Sequence, residues 1–124
     1  MAESESTRPR GRSAGLREEP RLSPFSSTYE EARENFLHAA ENSGFRQLRF
    51  RVPHEDSAEL FVDFALLRRD PRKVLISISG VHGIEGYAGS AVQASLLGED
   101  PSAEGPTLLF VHGVNPYGMK FYRR

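Results

Sequence analysis

Apolar residues recur along this chain in two rhythms, and the changes between them divide it into elements. Tyr29, Ala32, Phe36, Ala39 and Ala40 are spaced by about one helical turn, with a Ser27/Glu30 capping box before them and Gly44 as a stop. This predicts an amphipathic helix. From Gln47 to Val52 the rhythm becomes alternation, with Leu48, Phe50 and Val52 set against Gln47, Arg49 and Arg51, so a half-exposed strand is expected up to Pro53. After the loop HEDSAE, which carries His54, a second strand is expected over Glu59 to Leu67 with Leu60, Val62, Phe64 and Leu66 on one face. Antiparallel pairing of the two strands would make a hairpin at the edge of a sheet.

Beyond a turn at Asp70-Pro71 the pattern changes again. Val74 to Ser79 is a short, unbroken apolar run rich in β-branched residues, which predicts a central strand covered on both faces. A glycine-rich turn carrying His82 and Glu85 follows it, then a helix reaching Leu97. After the loop GEDPSAEGP, Thr107 to His112 repeats the continuous apolar pattern. Two such strands around one helix imply a βαβ crossover and parallel pairing. Asn115-Pro116-Tyr117-Gly118 reads as a turn. The fold class is therefore α/β. Ending on a loop after so few strands, the chain reads as part of a larger domain.

Composition refines this picture. With 27% charged and 38% hydrophobic residues in 124, core material is lean, and residues 1–24 hold only isolated apolar side chains among Ser, Arg, Glu, Pro and Gly. That segment is expected to be a disordered tail, leaving residues 25–124 as the folded part. Its five arginines are interrupted by glutamates, so a solvated tail is favoured over a nucleic-acid arm. A net charge of -1 gives no electrostatic reason to expect nucleic acid or an anionic membrane as partner. The absence of cysteine excludes disulfides, thiolate-bound zinc and a thiol nucleophile. The N-terminus lacks a secretory signal and no apolar run approaches the roughly 20 residues of a membrane span, so a cytoplasmic location is expected.

The candidate chemistry lies at the end of the Val74–Ser79 strand, where open α/β sheets place their ligands. In Ser79-Gly80-Val81-His82-Gly83-Ile84-Glu85-Gly86, an imidazole and a carboxylate three residues apart in a tight turn can converge on one zinc ion. The same residues also suit a purely structural role, with His82 bonded within the turn and Glu85 placed at the start of a helix whose dipole favours an acid. Residue chemistry alone leaves both open. His38, within the helix, and His54, in an acid-rich loop, read as surface residues, and His112 reads as structural.

SGVHGIEGYAGSAVQ, followed some twenty residues later by VHGVNPYGMKFYRR, resembles the N-terminal part of the zinc carboxypeptidase-like superfamily, which includes succinylglutamate desuccinylases and aspartoacylases. Within it, the likeness is best to a bacterial branch described as a domain of unknown function. The resemblance implies the N-terminal portion of a mixed-sheet, phosphorylase/hydrolase-like fold, cut short. It implies that His82 and Glu85 are two of three protein ligands to zinc, and that Arg123 or Arg124 polarises the scissile carbonyl or holds a substrate carboxylate. The family's Asn-Arg element, third ligand His and general-base Glu have no counterpart here. The implied activity of a completed protein is metal-assisted hydrolysis of peptides with a free C-terminus or of N-acyl amino acids. The alternative is a non-catalytic paralogue or fragment acting as a binding or vestigial module.

Overall fold

The computed structural model describes residues 23–55, 59–99 and 101–124. Nearly all of the expected N-terminal tail, and the middle of the loop after His54, lie outside the described residues. The elements run α1 (Tyr29–Asn42), β1 (Arg46–Val52), β2 (Leu60–Leu67), β3 (Asp70–Ile78), α2 (Gly86–Gly98), β4 (Pro106–His112) and α3 (Pro116–Lys120). They form a mixed α/β structure around a sheet of order β1-β2-β4-β3.

Helix α1 starts one residue later than the sequence pattern indicates. Thr28, in extended conformation, is the cap, and its Oγ1 accepts the Glu31 N–H at 3.2 Å while the Glu31 carboxylate accepts the Ser27 N–H at 3.2 Å. The reciprocal capping logic is the expected one, but Glu31 replaces Glu30 in it. At the other end Gly44 takes the left-handed conformation, with φ of 74°, that ends helices. Tyr29, Ala32, Phe36 and Ala40 form the buried stripe.

The hairpin pairing of β1 with β2 is antiparallel, as expected, and the crossover through α2 leaves β3 parallel to β4. The position of β3 differs from the expectation. It is an edge strand, and Val74, Leu75, Ile76 and Ile78 are 54–57% exposed; β4 takes the interior place between β2 and β3. The reason is that α1 and α2 pack over one face of the sheet and their core closes on β2 and β4, so Leu75, on the covered side with Ser77, stays exposed along with Val74, Ile76 and Ile78 on the other side. Phe36, Ala40, Phe45 and Leu97 close there over Ala65 and Phe110, with Leu67 and Leu108 beside them. An apolar run specifies a strand that can be covered on both faces, yet it does not supply the cover.

Register shows which face the helices take. Phe64 lies beside Leu48 and Val111, and Val111 beside Ile78; this row alternates with the row Gln47, Ala65, Phe110 and Ser77. The helices sit on the second row's side. The apolar face of the hairpin is therefore the open one along most of its length, where Leu48 and Phe50 are 41% and 57% exposed; at its far end Leu60 is fully buried with Tyr29, Ala32 and Met119. The covered face instead holds buried polar groups. Asp63, with no exposed surface, accepts from Arg33 Nε at 2.6 Å and Arg33 Nη2 at 2.9 Å, and Arg49 Nε stands 3.5 Å away. Burial pulls the Arg33 guanidinium down, but its hydrogen bonds to the Asp63 carboxylate outweigh this and leave it raised. Next to Asp63 in the register, His112 is fully buried, stacks on Phe36 with centroids 4.6 Å apart, and has Nε2 2.8 Å from Ser90 Oγ.

Because β1, β3 and β4 run in the same sense, their carboxyl ends open on one edge of the sheet. The loops that follow bring His54, the His82 turn and Asn115 to that edge.

Candidate metal centre at the carboxyl end of the sheet

The turn after β3 is fixed by backbone bonds to the segment after β4. Val114 N–H donates to Ser79 O at 3.0 Å and Asn115 N–H to Gly80 O at 2.7 Å. Gly80 has φ of 73°, which a side chain would strain. Gly83 has a different reason to be glycine. A Cβ there would stand 2.1 Å from the Gly118 carbonyl carbon, so this residue permits the close approach of turn and α3. The Asn115 side chain caps α3 by accepting the Gly118 N–H at 2.9 Å, so the expected turn continues into a short helix.

One buried side chain ties the strand end to α2. Gln93 Oε1 accepts the Ser79 hydroxyl at 2.8 Å, while Gln93 Nε2 donates to the carbonyls of Ser77 and Val111, each at 3.1 Å. The strand that launches the turn, its parallel neighbour and the helix that leaves it are thus joined at one amide.

On this support His82 Nδ1 lies 2.9 Å from Glu85 Oε2, with the two side chains 52% and 60% exposed. Glu85 is the cap residue of α2, but its side chain makes no cap hydrogen bond and turns to His82 instead. The chain reverses at Tyr122, with φ of 52°, and Arg123 O accepts the Ile84 N–H at 3.0 Å. That reversal separates the two arginines. Arg124 Nε comes to 4.0 Å from Glu85 Oε1, while Arg123 joins the turn through its backbone.

The other histidines are elsewhere. His54 lies against Tyr117 and Phe121, with centroids at 5.0 and 5.9 Å; His38 Nε2 is 3.1 Å from Asn42; His112 is enclosed with Ser90. Burial, with the Arg33 charge adding to it and the Asp63 charge opposing, pushes the His112 imidazole down to about 4, so the ring is neutral at pH 7.

The His82–Glu85 pair passes a simple geometric test for zinc. Two tetrahedral ligands, each roughly 2.1 Å from the metal, stand about 3.4 Å apart. Their present 2.9 Å would have to open by only a few tenths of an ångström. The donor set, one imidazole nitrogen and one carboxylate oxygen, suits the ion. Among the described residues, however, no group of three or more His, Asp or Glu could hold a metal. The pair could hold two positions of a metal site, and among the described residues no third ligand joins it.

The model of a family described as "Protein of unknown function (DUF2817)" matches residues 25–124. The chain belongs to that family. No curated protein matches it. Among solved structures it is similar to the crystal structure of a Fimbriiglobus ruber glutaminyl cyclase, at 18% identity and a TM-score of 0.47, over 72% of this chain and 39% of that one. The DUF2817 chain thus spans about two fifths of that cyclase's length.

Sequence reasoning missed three parts of the DUF2817 chain around this centre. Gln93 interrupts an apolar helix, Ser77 and Ser79 interrupt an apolar strand, and Asp63 sits between Val62 and Phe64. Each is a polar residue inside an apolar run, and buried polar groups must find partners. That signal was present, but the partners are 14 to 30 residues away in sequence and could not be paired from it.

Proposed function

We propose that residues 25–124 carry the metal-binding N-terminal portion of a zinc-dependent hydrolase of the carboxypeptidase-like type, whose substrates are peptides with a free C-terminus or N-acyl amino acids. The observation that carries this reading is the convergence of His82 Nδ1 and Glu85 Oε2 to 2.9 Å at the carboxyl end of β3, with the Arg124 guanidinium beside them. His82 and Glu85 would hold the zinc. The chemistry it supplies there is Lewis-acid polarisation of a carbonyl and acidification of water. Arg124, with Nε 4.0 Å from Glu85 Oε1, would meet a substrate carboxylate or a developing oxyanion, and the Ser79–Gln93 link would hold the turn while substrate binds.

Titration calorimetry with zinc tests the reading. Wild type binds weakly, because water fills the positions that protein does not, and His82→Ala abolishes the binding. Equal binding by wild type and His82→Ala would overturn the assignment. Hydrolysis of amides by this chain alone is expected to be negligible, since general-base assistance contributes roughly 10²- to 10⁴-fold and no such group stands beside the pair among the described residues. Zinc-dependent turnover abolished by Glu85→Ala would contradict that expectation. A second reading, a non-catalytic binding module, is favoured by the open apolar face of the sheet. Zinc binding lost in His82→Ala counts for the first reading, and its absence in wild type for the second.

A further inference from the structure

Among the described residues, Tyr122 is the one non-glycine residue with positive φ. In that left-handed region Cβ crowds the backbone carbonyl, so a tyrosine stays there only where its surroundings hold it, and such held strain gathers at functional sites. Here the hold comes from three elements. The Tyr122 hydroxyl donates to Ser27 O at 2.7 Å, at the approach to α1, and its ring stacks on Tyr87 in the first turn of α2, with centroids 5.9 Å and planes 18° apart. Tyr87 is itself fixed, its hydroxyl donating to Met119 O of α3 at 2.7 Å. The reversal is then closed by the Arg123 N–H, which donates back to Gly118 O at 2.8 Å.

We propose that Tyr122 is a positioning residue, which holds this reversal and thereby sets the Arg124 guanidinium beside Glu85 at the candidate metal pair. A right-handed conformation at Tyr122 would send the next two residues in another direction, taking Arg123 O from the Ile84 N–H and Arg124 from Glu85. The role in function rests on the metal-binding reading of His82 and Glu85. A guanidinium in this place has two signatures before any substrate arrives. Pairing with Glu85 slows its reaction with arginine reagents, and its charge opposes that of a zinc ion held by the same carboxylate.

Modification of the whole chain by phenylglyoxal, without metal and mapped by mass spectrometry, reads the position of Arg124. Arg124 should react about twofold faster in Glu85→Gln than in wild type, the size expected of an exposed ion pair. Tyr122→Val, a β-branched residue that positive φ excludes, should give the same acceleration, and the double variant no more than either alone. Position 122 is 54% exposed, so the circular dichroism spectrum should stay as it is. Lys120→Ala is the structural control: it removes the ion pair of α3 with Glu30 but not the reversal, and Arg124 should react as in wild type. In zinc titrations Arg124→Gln should tighten binding about threefold in the wild-type background and leave it unchanged in Tyr122→Val. Additive acceleration by Tyr122→Val and Glu85→Gln, or equal acceleration by Lys120→Ala, would overturn the positioning role. Absence of zinc binding in wild type would overturn the metal-binding reading instead, while the modification rates still decide whether Tyr122 holds Arg124.

Discussion

The two faces of the sheet invert the usual relation between polarity and cover. The helix-covered face contains Asp63, His112 and Gln47, while the open face is apolar from β1 to β3. Burial on the covered side depends on pairing polar groups: Asp63 with Arg33 and Arg49, His112 with Ser90, and Gln47 Nε2 with the Leu37 carbonyl at 3.1 Å. Such a face has a high penalty for any lost partner, since a buried group left alone keeps its full desolvation cost. On the open side Leu48, Phe50, Ile76 and Ile78 of the outer strands are 41–57% exposed, so less is lost when one of them is cut back. The difference teaches that the stability of the chain rests on the covered face.

The largest expected effect lies on the covered side. Asp63→Ala would leave Arg33, whose side chain is 16% exposed, without its carboxylate. Removing one partner of a buried ion pair costs about 3–5 kcal/mol, a large share of the stability of so small a domain. Urea unfolding followed by circular dichroism should find Asp63→Ala largely unfolded without denaturant. A loss below about 1 kcal/mol would break the comparison.

Acid should act on the same face. The His112 imidazole is held at about 4, below its ordinary 6.5, so the unfolded chain takes up a proton first. The stability that neutral His112 confers is whole above pH 6.5, falls as pH drops from 6.5 to 4, and levels off below. The drop amounts to about 3 kcal/mol, at 1.36 kcal/mol per pKa unit. Urea midpoints between pH 7 and pH 4 measure it, and His112→Gln should remove most of the slope in that window. An unchanged slope in His112→Gln would assign the acid sensitivity elsewhere.

The smallest effect belongs to the open face. Phe50→Ser should change stability by no more than about 0.5 kcal/mol, as other exposed substitutions do. A loss of 2 kcal/mol or more would mean that Phe50 is enclosed.

The sequence made the local features legible and left the choice of face hidden. Helix α1, the β1–β2 hairpin and the parallel β3–β4 pair follow from periods of 3.6 and 2 and from the length of one crossover. Alternation at Leu48, Phe50, Val62 and Phe64 shows that the hairpin has two unlike faces. It does not say which of them α1 will meet. That choice depends on the seating of Phe36 and Ala40 against Ala65 and Phe110, contacts that span 25 to 74 residues of sequence. For the same reason Val74–Ser79 could be recognised as a strand but not as an edge. The candidate centre shows the same division. His82 and Glu85 are three residues apart and their meeting was foreseeable; the selection of Arg124 over Arg123 depends on the reversal at Tyr122, where a non-glycine residue takes positive φ.

The inverted sheet can be tested directly, because the chain has no cysteine of its own. Two single-cysteine variants, Phe50→Cys on the open face and Ala65→Cys on the covered one, would be exposed to a thiol reagent. Phe50 is 57% exposed and Ala65 fully buried. The account predicts labelling of Phe50→Cys close to the rate of an unfolded thiol, and labelling of Ala65→Cys slower by at least a hundredfold. Faster labelling at position 65 than at position 50 would place the helices on the other face and contradict the account.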